Sequence, residues 1–484
     1  MSPRNTQSGG EHELELSPEA MHEMVRQAME RIVPFVESLP RQPACDVEGA
    51  VELARTLVEP LPRTGTPLEE LLDLVFRDLA PKSFNAAGPG YLAYIPGGGI
   101  FHAAVADLVS NAINRYVGVF IAAPALVQLE ANVVRWFAEI VGYPAAARGI
   151  LTTGGSLANF TAIVTARRSR LPENFFAGTL YASDQVHHSV VKAALLAGFP
   201  EANIRTIPSD ELFRIRPDLL RARIAEDRAR GLQPFLVVGS AGTTNTGAVD
   251  DLEALAALCA EEKLWFHVDA AYGGFLMLTA RGRDRMRGLA RADSITLDPH
   301  KALFLPYGNG SLLVRDGAEL RRAHTTHAHY MPEMQDDPDL VDFCEYSPEL
   351  SRGWRGLRVW LPLKMHGIEP FRRNLDEKID LTSWAAGELR AIPGIEIVAE
   401  PQLTVVAFRA AARGLTEPEL NELNRRLLER INARKRVFLT GTMLGARFVI
   451  RICVLSFRTH RDRVEAALED IRAALAEMRL SAPR

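Results

Sequence analysis

Cysteine is scarce in this chain, and the few that occur lie far apart. Cys45, Cys259, Cys344 and Cys453 form no CxxC pair and show no metal-ligand spacing. That excludes a disulfide-stapled scaffold and a zinc ribbon, and the four read as reduced thiols of a cytosolic protein. Long apolar runs are missing too. The most apolar window, 116–127, is short and contains Pro124, so it cannot cross a bilayer. The first sixteen residues are polar and hold no apolar stretch of an export signal, which points to a cytoplasmic protein. Neither sign of charge dominates, with 56 basic and 60 acidic residues and a net charge of −4. Such a balance gives no electrostatic ground for a nucleic-acid or membrane partner. Internal repeats and low-complexity tracts are absent as well.

What is present is an ordinary globular composition, 47% hydrophobic and 24% charged, spread over 484 residues. That length exceeds one core and implies two or three domains. Residues 1–84 read as a helical segment. Met21, Met24, Val25, Ala28, Met29 and Ile32 recur at helical spacing behind a Ser17-Pro18 start, and further helices are expected over 46–58 and 67–79. Helices this small cannot make a core alone, so their apolar stripes need a partner surface. In residues 85–366, strand-like runs at 179–182, 234–239, 264–268, 294–297 and 311–314 alternate with helices at 157–168, 185–197, 217–230 and 252–262. The alternation predicts an α/β domain with a mostly parallel sheet flanked by helices. From residue 367 to 484 the pattern changes to a long helix, strands at 395–398 and 403–408, and a helix at 417–432. Strands at 437–440 and 448–453 and a last helix from His460 follow. This reads as a smaller α+β domain with an antiparallel sheet.

Three stretches carry chemistry. Lys301 lies in SITLDPHKALFLPYGNG, where a short strand is ended by Asp298-Pro299. A lysine beside apolar residues is usually a surface residue with a buried stem; the alternative is a partly desolvated amine able to attack a carbonyl. Asp269 ends the apolar strand of LWFHVDAAYGG, where a carboxylate needs a cationic or hydrogen-bonding partner. In LTTGGSLANF, Gly154-Gly155-Ser156 opens a helix whose free N–H groups and positive end suit an anion. A phosphate cradle, a carboxylate for a pyridine nitrogen and an amine for an aldehyde are the attachments that pyridoxal 5'-phosphate needs. They occur in that order, each at a strand-to-helix junction, where ligands bind in such sheets.

At these residues the chain resembles the pyridoxal-phosphate-dependent group II decarboxylases, close to the aromatic-L-amino-acid decarboxylases. The similarity extends to YLAYIP (91–96), APALVQLE (123–130), SDQVHHSV (183–190), LSRGWRGLRVW (350–360) and FVIRIC (448–453), and so to most of the chain. The resemblance implies the pyridoxal-phosphate fold of type I and an L-amino-acid decarboxylase that releases an amine and carbon dioxide. It implies that Lys301 holds the cofactor, Asp269 pairs with its pyridine nitrogen, and Gly155 and Ser156 bind its phosphate. Ala271, His300 and the hydroxyl of Thr243 or Thr244 would adjoin it, although a Gly-Thr-Thr turn also reads as plain turn chemistry. His187 would stack on the ring, in the first turn of a helix capped by Ser183 or Asp184; a histidine so placed is otherwise a surface residue. Tyr330 would protonate the product from a loop, where relatives with phenylalanine make an aldehyde. For the substrate side chain the resemblance points to Tyr94, Pro96, Ala86, Gly118, Phe120 and Ser351. Ala86 and Gly118 stand where aromatic decarboxylases carry bulky aromatics, a departure that implies a wider or differently shaped pocket; an aromatic substrate is still favoured, with diaminobutyrate or another polar amino acid open. Aldehyde synthesis and transamination are the other reactions the same cofactor supports. The family also implies a homodimer with a shared pocket, residues 1–84 packing on the second subunit.

Overall fold

A computed structural model describes residues 14–326, 337 and 339–478. The chain starts with α1 (Pro18–Ser38), where the Ser17 hydroxyl caps the Ala20 amide at 3.2 Å and Pro18 fits the first turn. Two short helices follow, α2 (Ala50–Thr56) and α3 (Leu68–Asp73), the latter running into a π-helical turn over Leu74–Leu79. The first is shorter than the 46–58 expected, while the second with its π-helical turn fills nearly all of the expected 67–79. None of the three buries a residue fully, and Met21, Met24, Val25, Val51, Leu71 and Val75 are exposed.

After α4 (Phe101–Ile113) and α5 (Pro124–Val141) the chain enters a seven-stranded sheet. Its strands are β1 (Arg148–Thr152), β2 (Gly178–Ser183), β3 (Ile204–Ile207), β4 (Gln233–Ser240), β5 (Trp265–Asp269), β6 (Ser294–Leu297) and β7 (Gly310–Val314). The order is β1-β7-β6-β5-β4-β2-β3. The strands from β3 across to β6 pair in parallel, as expected. The strand over 311–314 departs from that expectation: β7 is antiparallel to both neighbours. The link from β6 holds only one four-residue helix and no crossover helix to carry the chain back along the sheet, and the strand turns back.

Helices cover both faces: α6 (Gly155–Arg170), α7 (His188–Leu196), α8 (Pro217–Ala229), α9 (Leu252–Glu262), α10 (Ala280–Arg285), α11 (Pro299–Ala302) and α12 (Gly317–His324). Side-chain alternation builds two cores. Val237 and Phe266 pack on one side with Phe137 and Leu255, while Leu236, Val238 and Trp265 pack on the other with Ala162 and Leu312. Strands buried on both faces explain why these runs are apolar without polar alternation.

Beyond α13 (Gly356–His366) and α14 (Glu369–Arg390) lies a four-stranded antiparallel sheet. It comprises β8 (Ile395–Ala399), β9 (Val405–Ala410), β10 (Thr440–Leu444) and β11 (Arg447–Cys453), backed by α15 (Glu417–Asn432) and α16 (Arg461–Glu477). The strand expected at 437–440 starts later. Residue 438 pairs instead with residues 90–92, through Phe438 N to Gly90 O at 2.9 Å and Leu92 N to Phe438 O at 3.1 Å. Leu92 accordingly sits in the core of this smaller layer with Val406 and Ile450.

Candidate active site

Four chain segments meet beyond the carboxyl ends of β4, β5 and β6. β6 is buried throughout and stops at Leu297; Pro299 then starts the single turn α11. That turn puts Lys301 three residues past Asp298, with its Nζ 3.0 Å from Asp298 Oδ2. Asp298 is buried, and its Oδ1 has no hydrogen-bond partner. Next to it on the sheet, Asp269 ends β5, in register with Ser240 and Thr296. Its Oδ1 accepts from the Ala271 amide at 3.1 Å and its Oδ2 from the Asn159 side-chain amide at 2.9 Å. Two fixed donors therefore aim this carboxylate.

The third segment is the start of α6, which has no side-chain cap. Its first-turn N–H groups and dipole end therefore remain available to an anion. The fourth is the start of α7. His187 was expected within that helix behind a Ser183 or Asp184 cap; it is itself the N-cap. The Ser183 hydroxyl accepts from the Gln185 amide in a local turn instead, which delays the helix. Burial depresses the pKa of His187, so its ring is neutral at pH 7. His300 donates from Nδ1 to the Asn309 carbonyl at 2.6 Å, and burial lowers its pKa too.

One cavity of about 290 Å³ joins these parts, lined by Gly155, Ser156, His187, Thr243, Thr244, Asp269, Ala271, His300 and Lys301. Every residue expected to adjoin the cofactor thus faces the same space. The Thr243 hydroxyl is engaged within its own turn, 2.8 Å from Thr246 Oγ1 and accepting from the Ala248 amide. Gly242 ahead of it has φ +102°, and a Cβ there would lie 2.6 Å from the Tyr272 ring, so the bend needs glycine. The sequence reading missed Asn159, Ser189, Ser240, Tyr272 and Asp298, which also line the cavity. Asp298 had a signal, since three residues before a lysine in a turn is ion-pair spacing. Asn159 lies one helical turn beyond Gly155, on the same face.

The expected side-chain pocket is placed differently. Tyr94, Pro96, Ala86, Gly118, Phe120 and Ser351 do not line the Lys301 cavity within one chain. Ala86 lines a larger space of about 950 Å³ under α1, with Gly97, Gly99 and Tyr307. Gly118 and Phe120 are stitched to the segment before Ser351, through Cys344 N to Gly118 O at 3.0 Å and Phe120 N to Asp342 Oδ1 at 2.6 Å. Tyr94, half-exposed with φ +49°, accepts from Arg451 on β11 through its carbonyl. Tyr330 lies outside the described residues.

Residues 52–411 match the pyridoxal-dependent decarboxylase conserved domain. The chain belongs to the pyridoxal-dependent decarboxylase family. It is 34% identical to an aromatic-L-amino-acid decarboxylase of Bacillus atrophaeus, over 97% of this chain and 98% of that one. Among solved structures, Oryza sativa TDC with PLP and tryptamine superposes with a TM-score of 0.91 at 26% identity, covering 96% of this chain and 99% of that one. Catharanthus roseus tryptophan decarboxylase in complex with L-tryptophan gives 0.88 at 26% identity with the same coverage. The reaction of this family member is a pyridoxal-phosphate-dependent decarboxylation of an amino acid, and the cavity's contents fit that cofactor. An uncapped helix start, an aimed carboxylate and an amine face one space of suitable size.

Proposed function

We propose that the chain decarboxylates an aromatic L-amino acid to its amine, with Lys301, Asp269 and His187 as the working residues. The carrying observation is that Lys301, Asp269 and the start of α6 open into one cavity. Pyridoxal phosphate, when bound, supplies an electron sink for the pair left by the departing carboxylate. Lys301 is the amine that would hold it. Asp269, held by Ala271 and Asn159, keeps a pyridine nitrogen protonated. The first amides of α6, at Gly155 and Ser156, would hold the phosphate, with His300, Thr243 and Thr244 lining the same cavity. His187, neutral and half-buried, would stack on the ring, with Ala271 lining the same cavity. Tyr330 is assigned the proton that replaces the carboxylate.

Two copies are proposed to share the pocket. The expected side-chain residues are spread over separate surfaces in one chain, and α4 exposes Val105, Leu108, Val109 and Ile113. Burying such a stripe favours association. The same assembly assigns residues 1–84 to subunit packing, 85–366 to cofactor binding and 367–484 to the smaller domain. Among the described residues, no helix is long and apolar enough to cross a membrane, and the four cysteines are free, in keeping with a cytoplasmic enzyme.

Incubation with a panel of aromatic and polar amino acids tests this. Amine and carbon dioxide in equal amounts, fastest with an aromatic substrate, are expected. Aldehyde with peroxide would overturn the role given to Tyr330, and a preference for a polar substrate would overturn the aromatic assignment.

A further inference from the structure

Behind Asp269 lies a buried polar chain. Asn159, 1% exposed, sits at its centre on α6. One side of its amide faces Asp269 Oδ2 at 2.9 Å and Ser189 Oγ at 3.0 Å. The other faces Thr296 Oγ1 at 2.7 Å and His267 Nε2 at 3.1 Å. A carboxylate can only accept here, so the NH₂ points to Asp269 and the carbonyl to His267 and Thr296. His267 must then carry its proton on Nε2, and its bare Nδ1, 2.8 Å from Ser294 Oγ, accepts the serine proton. Ser294 in turn accepts from Trp265 Nε1 at 2.8 Å. Burial depresses the His267 pKa to about 4, so the ring is neutral and the direction of the chain holds at pH 7.

The second amide proton of Asn159 continues the sequence toward His187. It occupies Ser189 Oγ, whose own hydrogen is free to go to His187 Nδ1 at 2.7 Å. The Ser189 backbone amide also points at that nitrogen, at 3.3 Å, and an amide can only donate. Nδ1 of His187 is therefore an acceptor, and its proton resides on Nε2. A single buried amide thus reaches two groups that line the cavity, and hydrogen bonds in such a row polarise one another.

We propose that Asn159 is a positioning residue whose amide aims the Asp269 carboxylate and, through Ser189, keeps the His187 proton on Nε2. The inference rests on the reading that Asp269 and His187 both face the cofactor. In this arrangement α6 supplies more than an anion site. Its first turn would meet the phosphate, and Asn159 one turn later sets the donor pattern at Asp269 and His187.

Two variants of the full chain separate the branches. Asn159→Asp keeps the shape but replaces both donors, placing a second carboxylate against Asp269. Ser189→Ala cuts only the branch to His187. Cofactor retention is read from the dissociation constant for pyridoxal phosphate. The ring protonation is read from ¹⁵N spectra of histidine-labelled protein, with the His187 signals located by His187→Gln. In the wild type we expect a protonated Nε2 and an unprotonated Nδ1. Asn159→Asp should weaken cofactor retention roughly ten- to hundredfold, the value of a hydrogen bond to a charged group, and should alter the His187 ring signals. Ser189→Ala should alter only the ring signals, and it keeps the test decisive if Asn159→Asp does not fold. A wild-type His187 protonated on Nδ1 would overturn the proposal. So would a folded Asn159→Asp with unchanged retention and ring signals, or a Ser189→Ala with the wild-type ring signals. The ring signals can be read without cofactor, so a failure of Lys301 to hold pyridoxal phosphate would count against the functional reading and be seen separately.

Discussion

Lys301 and Asp269 reach one cavity because each follows the carboxyl end of a neighbouring parallel strand, and β5 and β6 pair in register at Asp269 and Thr296. A carboxylate aimed by two N–H donors at developing charge contributes chiefly to turnover. Asp269→Ala is expected to lower kcat by about a hundredfold or more while the folded content stays unchanged by circular dichroism; a kcat within tenfold of wild type would refute the role. Lys301, Asp269 and the Gly155-Ser156 turn were legible because each motif is contiguous in sequence. Asn159 and Ser189 were not. Asn159 meets Ser189, Asp269 and Thr296 across 30, 110 and 137 residues of chain, and an asparagine inside a helix carries no local mark of what it faces.

Helix and strand packing supports that geometry through buried polar ties that the sequence did not announce. Glu130 on α5 pairs with Arg352, both wholly buried, and accepts from the Gly356 amide at 2.9 Å at the start of α13. Arg352 also donates to the Leu151 carbonyl at the end of β1, beside the start of α6. Removing one partner of a buried ion pair leaves an uncompensated charge, so Arg352→Ala should cost about 3–5 kcal/mol in urea unfolding followed by tryptophan fluorescence.

A second tie joins α12 to α6. Thr165 gives its hydroxyl proton to the Thr161 carbonyl at 2.7 Å and so accepts from His324 Nε2 at 3.0 Å. Burial, helped by Arg168, lowers the His324 pKa from 6.5 to about 4. A folded pKa below the unfolded value favours the neutral native state. That stability is present above pH 6.5 and is lost as the pH falls toward 4, by at most about 3 kcal/mol. The melting temperature of His324→Gln should therefore fall less than that of wild type between pH 7 and pH 4.5. At this scale helix and strand types were readable from periodicity, and α9 and α15 match the expected spans residue for residue. The reversed β7 and the late start of α7 were not, because short links and local serine turns decide them.

For the whole molecule, the layer order was readable from strand-helix alternation, but the joins between layers were not. Phe438 pairs with residues 90–92, and Arg451 on β11 donates to the carbonyls of Tyr94, Thr244 and Asn245. The smaller sheet is thereby tied to the loop that lines the cavity. The proposed second copy would cover the exposed stripe on α4. Leu108, 55% exposed, lies on it, and Leu108→Asp should shift the mass in solution from dimer toward monomer and reduce activity with it. A wild-type chain that is monomeric and fully active would contradict a shared pocket.

The central claim is that Lys301 anchors pyridoxal phosphate in the space it shares with Asp269. Borohydride reduction of the cofactor-loaded protein, followed by peptide mass mapping, tests it directly. A pyridoxyl group on the peptide containing Lys301, absent from Lys301→Ala, is the predicted result; the same group on another lysine, or retained in Lys301→Ala, would contradict it.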